Sequence, residues 1–284
     1  VHTTASDGRA SAEALVASAA HAGITTLGVT DHDTVAALPA VTALAEAVGI
    51  IVVPGIEITA IWRGTDVHVL GYFLDPTSVD LASFLERQRA ARVERLRRMA
   101  DRLAELGRPV DITGWLEQAG TAGPDAVGRP HLARKLIEAG YATDIGDAFD
   151  RFLGLGAPAF VPRLGPSPFD VVRAIEQAGG LSSLAHPATL GHDELIPVLA
   201  RAGLGAIEVF HPDHDAAAID HYRALARRHE LAASGGSDYH ADPAHGAPAI
   251  GAVLLPEEEY AALEHRHRCS ARTSSTRERP APEG

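Results

Sequence analysis

Eight imidazoles and carboxylates stand where predicted strands end or turns begin. His2 and Asp7 lie in a turn-like segment ahead of the first helical pattern, and His32, in TDHDT, follows the apolar run Ile24 to Thr30. Glu57 closes the strand-like PGIEIT, and His68 lies in DVHVLGY. His186 follows LSSLA as AHP, while Asp238 and His240 follow the run ending near Ser234, in GGSDYH. Imidazole mixed with carboxylate, with no thiolate among them, suits Zn²⁺, Mn²⁺ or Fe²⁺ and disfavours a structural thiolate site. Eight such groups exceed what one ion needs, so two or three ions sharing bridging carboxylates is the natural reading. A lone His2 or His68 would be an ordinary histidine, but Glu57 in an apolar run is harder to dismiss, because an unpaired buried carboxylate is costly. The sequence has no G-x-S-x-G, no glycine-rich phosphate loop and no paired-cysteine motif, so other chemistries have little support.

The elements that must position these groups alternate between two periods. Helical patterns over Ser11 to Ala22 and Thr34 to Val48 enclose the strand Ile24 to Thr30, and strands follow at Ile50 to Thr59 and Val67 to Phe73. After residue 165 the rhythm returns: helices near Phe169 to Ala178, Glu194 to Ala202 and Ala216 to Arg228, with strands at Leu181 to Ala185, Ala206 to Phe210 and Leu231 to Ser234. Repeated βα units imply a parallel sheet, open or closed into a barrel, and in such a barrel the strand C-termini converge on the face that carries active sites. Residues 78 to about 107 form one long helical pattern in which arginines interleave with Glu86, Glu94, Asp101 and Glu105. This is a solvated charged face rather than an RNA-binding stripe. The expected organisation is therefore an α/β barrel in two parts, 1–77 and 165–264, interrupted by a helical insertion at 78–164. The tail 265–284 lacks apolar periodicity and is expected to be disordered.

Composition excludes several roles. The 284 residues are 46% apolar, but no run is long and pure enough to span a membrane. No signal-peptide pattern opens the chain, and the single Cys269 cannot form an internal disulfide, so a cytoplasmic protein is expected. A formal net charge of −12 argues against charge-driven binding of long duplex DNA. Oligomeric state is not encoded in any of these features.

In order along the chain, His2 with SDG at 6–8, TDHD at 30–33, PGIE at 54–57, His68, AHP at 185–187 and SDYH at 237–240 resemble the PHP (polymerase and histidinol phosphatase) family. The resemblance spans residues 2 to about 255. It implies a distorted (β/α)7 TIM-like barrel and a trinuclear site with His2, Asp7, His32, Glu57, His68, His186, Asp238 and His240 as ligands. The family pattern places another histidine two positions before His2, with most of a first strand. That position precedes residue 1, and the resemblance implies a sequence truncated there.

GRPHLARKL, residues 128–136, resembles a segment of PHP phosphoesterases that act on nucleoside 3′,5′-bisphosphates and trim RNA from its 5′ end. Pro130 suits a first helical turn, which puts His131, Arg134 and Lys135 on one face. With Arg129 they would clamp a phosphate that is recognised but not cleaved, and His211, in EVFHPDH, is expected to touch a phosphate too. His214 is expected at the surface. The implied reaction is hydrolysis of phosphate mono- or diesters of a small nucleotide or short oligonucleotide. A hydroxide between ions about 3.5–4 Å apart would attack phosphorus in line, with Glu57 bridging. Asp33 would orient a ligand or supply a proton, or else cap the following helix. The alternatives are a histidinol-phosphatase-like enzyme and an inactive metal-binding PHP module.

Overall fold

The computed structural model describes residues 1–114, 129–242 and 249–277. They divide into two compact units, one of residues 1–62, 66–82 and 166–284 and one of residues 63–65 and 83–165.

The first unit is α/β. Its elements are α1 (Ala12–His21), β1 (Thr26–Val29), α2 (Leu38–Glu46), β2 (Ile51–Trp62) and β3 (Thr65–Tyr72), then the start of α3 (Val79–Glu105). After the second unit come α6 (Pro168–Gln177), β4 (Leu181–Leu184), α7 (Pro187–Leu190), α8 (Ile196–Arg201), β5 (Ala206–Phe210), α9 (Ala216–Arg228), β6 (Ala232–Gly235) and α10 (Glu257–Arg277). Local chemistry sets the boundaries: Ser11 caps α1 through Ala14 N, Ser167 and Asp170 form a capping box with Pro168 in the first turn of α6, and Asp215 caps α9. The strands follow one another in a six-stranded sheet, β1-β2-β3-β4-β5-β6. The seventh strand implied by the family resemblance is not among the described residues.

The sheet is not wholly parallel. β1–β2, β4–β5 and β5–β6 are parallel, but β3 and β4 run antiparallel, with Val69 opposite Leu184. The cause lies between β2 and β3, where Arg63 and Gly64 both take positive φ, the backbone of a two-residue hairpin turn that reverses the chain. An Arg-Gly pair carries little of the Asn-Gly signature, so a purely parallel reading missed it.

Apolar packing holds the sheet. Leu15, Val16, Leu27, Val29, Leu38 and Val41 bring α1, β1 and α2 together, and Val53, Leu70, Tyr72, Leu181 and Leu263 form a second cluster. Burying each such leucine contributes about 2 kcal/mol. Gly55 in β2 lets the strands close: a Cβ there would lie 2.8 Å from the carbonyl oxygens of Gly71 and Val29. The expected disordered tail is corrected in part, since α10 continues through His265 to Arg277. Buried Leu263 fastens this helix, as does His267, whose Nε2 lies 2.8 Å from Gly179 O and whose ring stacks on Phe73. Sparse anchors on a polar helix leave no apolar periodicity to read.

The second unit holds the rest of α3, α4 (Arg129–Glu138), α5 (Ile145–Ala148) and a π-helical turn at Phe149–Leu153. Leu96, Met99, Leu103, Leu132, Leu136 and Leu153 form its core. Arg95 and Arg102 donate to the carbonyls of Val161 and Phe160, so part of the arginine-rich pattern ties α3 to the chain that follows. Among the described residues no helix is long and apolar enough to cross a membrane.

Candidate metal centre

The TDHDT segment assembles the site by dividing its labour. Asp31, 2% exposed, accepts from Thr3 N, Thr3 Oγ and Ser6 Oγ at 2.7–2.8 Å, which fastens the segment carrying His2 and Asp7 beside the end of β1. Asp33, at positive φ, accepts from Thr59 N at 3.1 Å, while its own N–H donates to Glu57 O. Between them His32 forms a parallel bridge with Glu57. Asp33 thus braces β2 behind Glu57 and does not cap α2, which starts only at Leu38. Gly8 completes the turn, because a Cβ there would lie 2.6 Å from the His2 carbonyl.

All eight sequence-predicted groups meet in one cluster. Glu57, almost fully buried, presents Oε1 to His68 Nδ1 at 2.7 Å and His186 Nε2 at 3.4 Å, and Oε2 to His2 Nε2 at 3.3 Å. His2 Nε2 also lies 3.1 Å from Asp238 Oδ1. Asp7 faces His2, His32 and His240 at 3.4–3.6 Å. The His2 and His240 rings stack with centroids 4.0 Å apart. Three overlapping triads or tetrads have ligand atoms within 4.8 Å of one another: His2–Asp7–His32–His240, His32–Glu57–His68 and His2–Glu57–Asp238.

Charge explains the protonation states. Burial alone would lower the His2 imidazole, but the carboxylates of Asp238 and Glu57 outweigh it and push it up to about 9. The same contest, with Glu57 as chief partner, pushes His186 up to about 9. Burial wins at His32, which is held down to about 4. Burial would raise Asp7, Glu57 and Asp238, yet the surrounding imidazoles hold all three below the ordinary carboxylate range. Two left-handed backbones, at His186 (φ 25°) and Asp238 (φ 42°), mark the places where the chain is bent to aim these side chains.

The donor set fits divalent ions on its own terms. Four imidazoles and three carboxylates form the ligand groups, a fifth imidazole, His186, joins them through Glu57, and His2 Nδ1 and His32 Nδ1 are buried with no hydrogen-bond partner. Such atoms are costly unless a ligand meets them. His240 Nδ1 lies 2.9 Å from Asp238 O and so carries a proton, which turns Nε2 towards Asp7 at 3.4 Å.

His211 also reaches the cluster. Its Nδ1 accepts from Asp213 N at 3.2 Å, so Nε2 carries the proton; that buried atom lies 3.6 Å from Asp238 Oδ2 and has no hydrogen-bond partner. His214, expected at the surface, is instead 6% exposed, held to Val209 O and stacked on Tyr222. The other predicted phosphate contacts lie on α4 in the second unit. There Arg129 sits over Phe149 and Phe160, Lys135 pairs with Glu138 at 2.8 Å, His131 is half-buried and Arg134 is exposed. Gly128 of that motif lies outside the described residues. Two carboxylates escaped the sequence reading. Asp31 was visible only as part of TDHD, and Glu208 sits in the apolar run AIEVF, where burial pushes its carboxyl up.

Comparison with known proteins agrees with this geometry. The family model described as the PHP domain matches residues 1–138. The 5′-3′ exoribonuclease Rnm of Escherichia coli is 35% identical, covering 84% of this chain and 83% of its own. The phosphoribosyl 1,2-cyclic phosphate 1,2-diphosphodiesterase of Eggerthella lenta is 39% identical, covering 84% and 92%. The 3′,5′-nucleoside bisphosphate phosphatase of Chromobacterium violaceum is 33% identical, covering 88% of each. A candidate metal-dependent phosphoesterase from Bifidobacterium adolescentis superposes with a TM-score of 0.75 at 30% identity, covering 93% of this chain and 94% of its own. Such identity over most of each relative's length, with a matching fold, means that this chain belongs to the PHP family and is a metal-dependent phosphoester hydrolase.

Proposed function

We propose that the chain hydrolyses phosphate esters at the ends of small nucleotides, with a nucleoside 3′,5′-bisphosphate or the 5′ end of a short RNA as substrate. The observation that carries this reading is the convergence of eight ligand-type side chains with one further buried donor, His211 Nε2, that no protein acceptor satisfies. The names of the relatives narrow the class: one trims RNA, one removes a phosphate from a bisphosphate and one opens a cyclic phosphate.

The contacts support a role for each residue. His2, Asp7, His32, Glu57, His68, His186, Asp238 and His240 hold two or three divalent ions of the Mn²⁺, Zn²⁺ or Fe²⁺ kind. When bound, such ions supply positive charge for phosphoryl oxygens and lower the pKa of water. Glu57 belongs to two of the three ligand groups and offers a different oxygen to each side, the arrangement of a bridging carboxylate. Asp33 orients Glu57 through β2. His211 donates Nε2–H to a phosphate oxygen, and Asp213 N keeps that proton in place. Arg129, His131, Arg134 and Lys135 are assigned to a second phosphate that is bound and not cleaved. Arg134→Ala is expected to raise KM several-fold for a bisphosphate and little for an aryl phosphate; equal effects on both remove that assignment. Family membership also supports a distorted (β/α)7 barrel; the described residues form a six-stranded sheet.

The test is phosphate or nucleotide release by Mn²⁺-loaded protein from adenosine 3′,5′-bisphosphate, a 5′-phosphorylated short RNA and a ribose cyclic phosphate. Turnover of either of the first two is expected. Release from the cyclic phosphate alone moves the substrate class to cyclic diesters. No release from any of them, with ions bound, refutes the reading.

A further inference from the structure

We propose that Glu208 and Thr189 are positioning residues that hold His186 in its ligating state, one through its backbone and the other through its ring. The proposal rests on the reading of His186 as a metal ligand.

β4 ends at Leu184, whose partner on β5 is Ile207. Past that point Ala185 N donates back to His68 O on β3, and His186 takes the left-handed φ of 25°. An L-residue enters that conformation only when its surroundings over-determine it. The determinant is the Glu208 side chain, whose Oε2 accepts the His186 backbone N–H at 2.7 Å. Glu208 is 6% exposed and stands where β5 shifts register against β6, a bulge that re-aims side chains. A buried carboxylate in an apolar strand is costly unless it is engaged, and here it is engaged by the one amide that the bend removes from the ladder.

Thr189 sets the other half. Its Oγ donates to His186 O at 2.9 Å, which uses the hydroxyl proton. The same oxygen lies 3.0 Å from His186 Nδ1, so Nδ1 must carry the ring proton and donate it. Nε2 is thereby the ring atom turned to the cluster, 3.4 Å from Glu57 Oε1 and 3.3 Å from His68 Nδ1, and the one whose proton an ion would displace. Backbone anchor and tautomer lock therefore converge on one atom. Outer partners of this kind are worth about 10–100-fold in metal affinity.

The variants are Glu208→Gln, which keeps a neutral acceptor, Glu208→Met, which keeps the volume without one, Thr189→Val, which keeps the shape without a hydroxyl, and His186→Ala. The readouts are the number of Mn²⁺ ions retained per chain and their dissociation constants, with circular dichroism to confirm folding. Glu208→Met and Thr189→Val are each expected to weaken one ion about tenfold or more, while Glu208→Gln stays within about threefold of the parent. On the His186→Ala background neither should weaken binding further. Unchanged affinity in Thr189→Val and Glu208→Met overturns the proposal, as does full additivity with His186→Ala. If Glu208→Met does not fold, Thr189→Val and Glu208→Gln still decide it. A parent protein that retains no ion sinks the metal reading, and the proposal falls with it.

Discussion

Asp238 contacts three imidazoles, His2, His211 and His240, from one half-buried position at a bent backbone. Asp238→Ala is therefore expected to lower kcat by at least about 10³-fold while circular dichroism stays that of a folded protein. Near-normal turnover would remove Asp238 from the centre. The imidazoles also predict a pH dependence. In the ion-free protein His2 and His186 titrate at about 9, above the ordinary 6.5, so protonation stabilises the fold fully below pH 6.5 and that contribution is lost as pH rises through about 9. Ions must displace those protons, so Mn²⁺ affinity should climb between pH 6.5 and 9 with protons released, as read by calorimetry in buffers of different ionisation enthalpy. A flat affinity over that range would exclude His2 and His186 as ligands. At this scale much of the arrangement was legible: strand ends deliver side chains to one place, and types such as His32 and Glu57 stand out against apolar runs. Glu208 did not, because its partner is a backbone amide that no residue type announces.

Helices and strands were legible to within a few residues wherever period and caps agreed, as at Ser11, Ser167 and Asp215. The failures have specific causes. Arg63–Gly64 reverses the chain without the usual hairpin residues, and α10 is fixed by isolated contacts at Leu263 and His267. Strand packing also gives a direct prediction. Gly55 lies between two neighbouring backbones, so Gly55→Ala should cost about 3 kcal/mol in chemical denaturation and displace Glu57 two residues on. The ion affinity of that variant should fall with its stability. An unfolding midpoint within error of the parent would show that the sheet yields there.

For the molecule as a whole, ions and fold are linked quantities. Buried imidazoles and carboxylates with unpartnered atoms are a liability until ions are bound, so chelation should lower the melting temperature as well as abolish turnover. An ion at 100 times its dissociation constant contributes about 2.7 kcal/mol, several degrees for a chain of this size. A melting temperature indifferent to a chelator and to added Mn²⁺ would contradict a shared centre.

The cluster also joins residues more than 200 positions apart in the sequence, as His2 and Asp238 are. His32, Glu57 and His68 emerge from the ribosome early and close together, whereas His2 meets Asp238 and donates its backbone N–H to Tyr239 O. A nascent chain, growing at about 5–20 residues per second, holds one incomplete ligand group long before the others can form. Translation thus imposes an order on metallation: the Glu57 corner is available first, and the corner that unites His2 with Asp238 is sealed only after residue 238 has emerged.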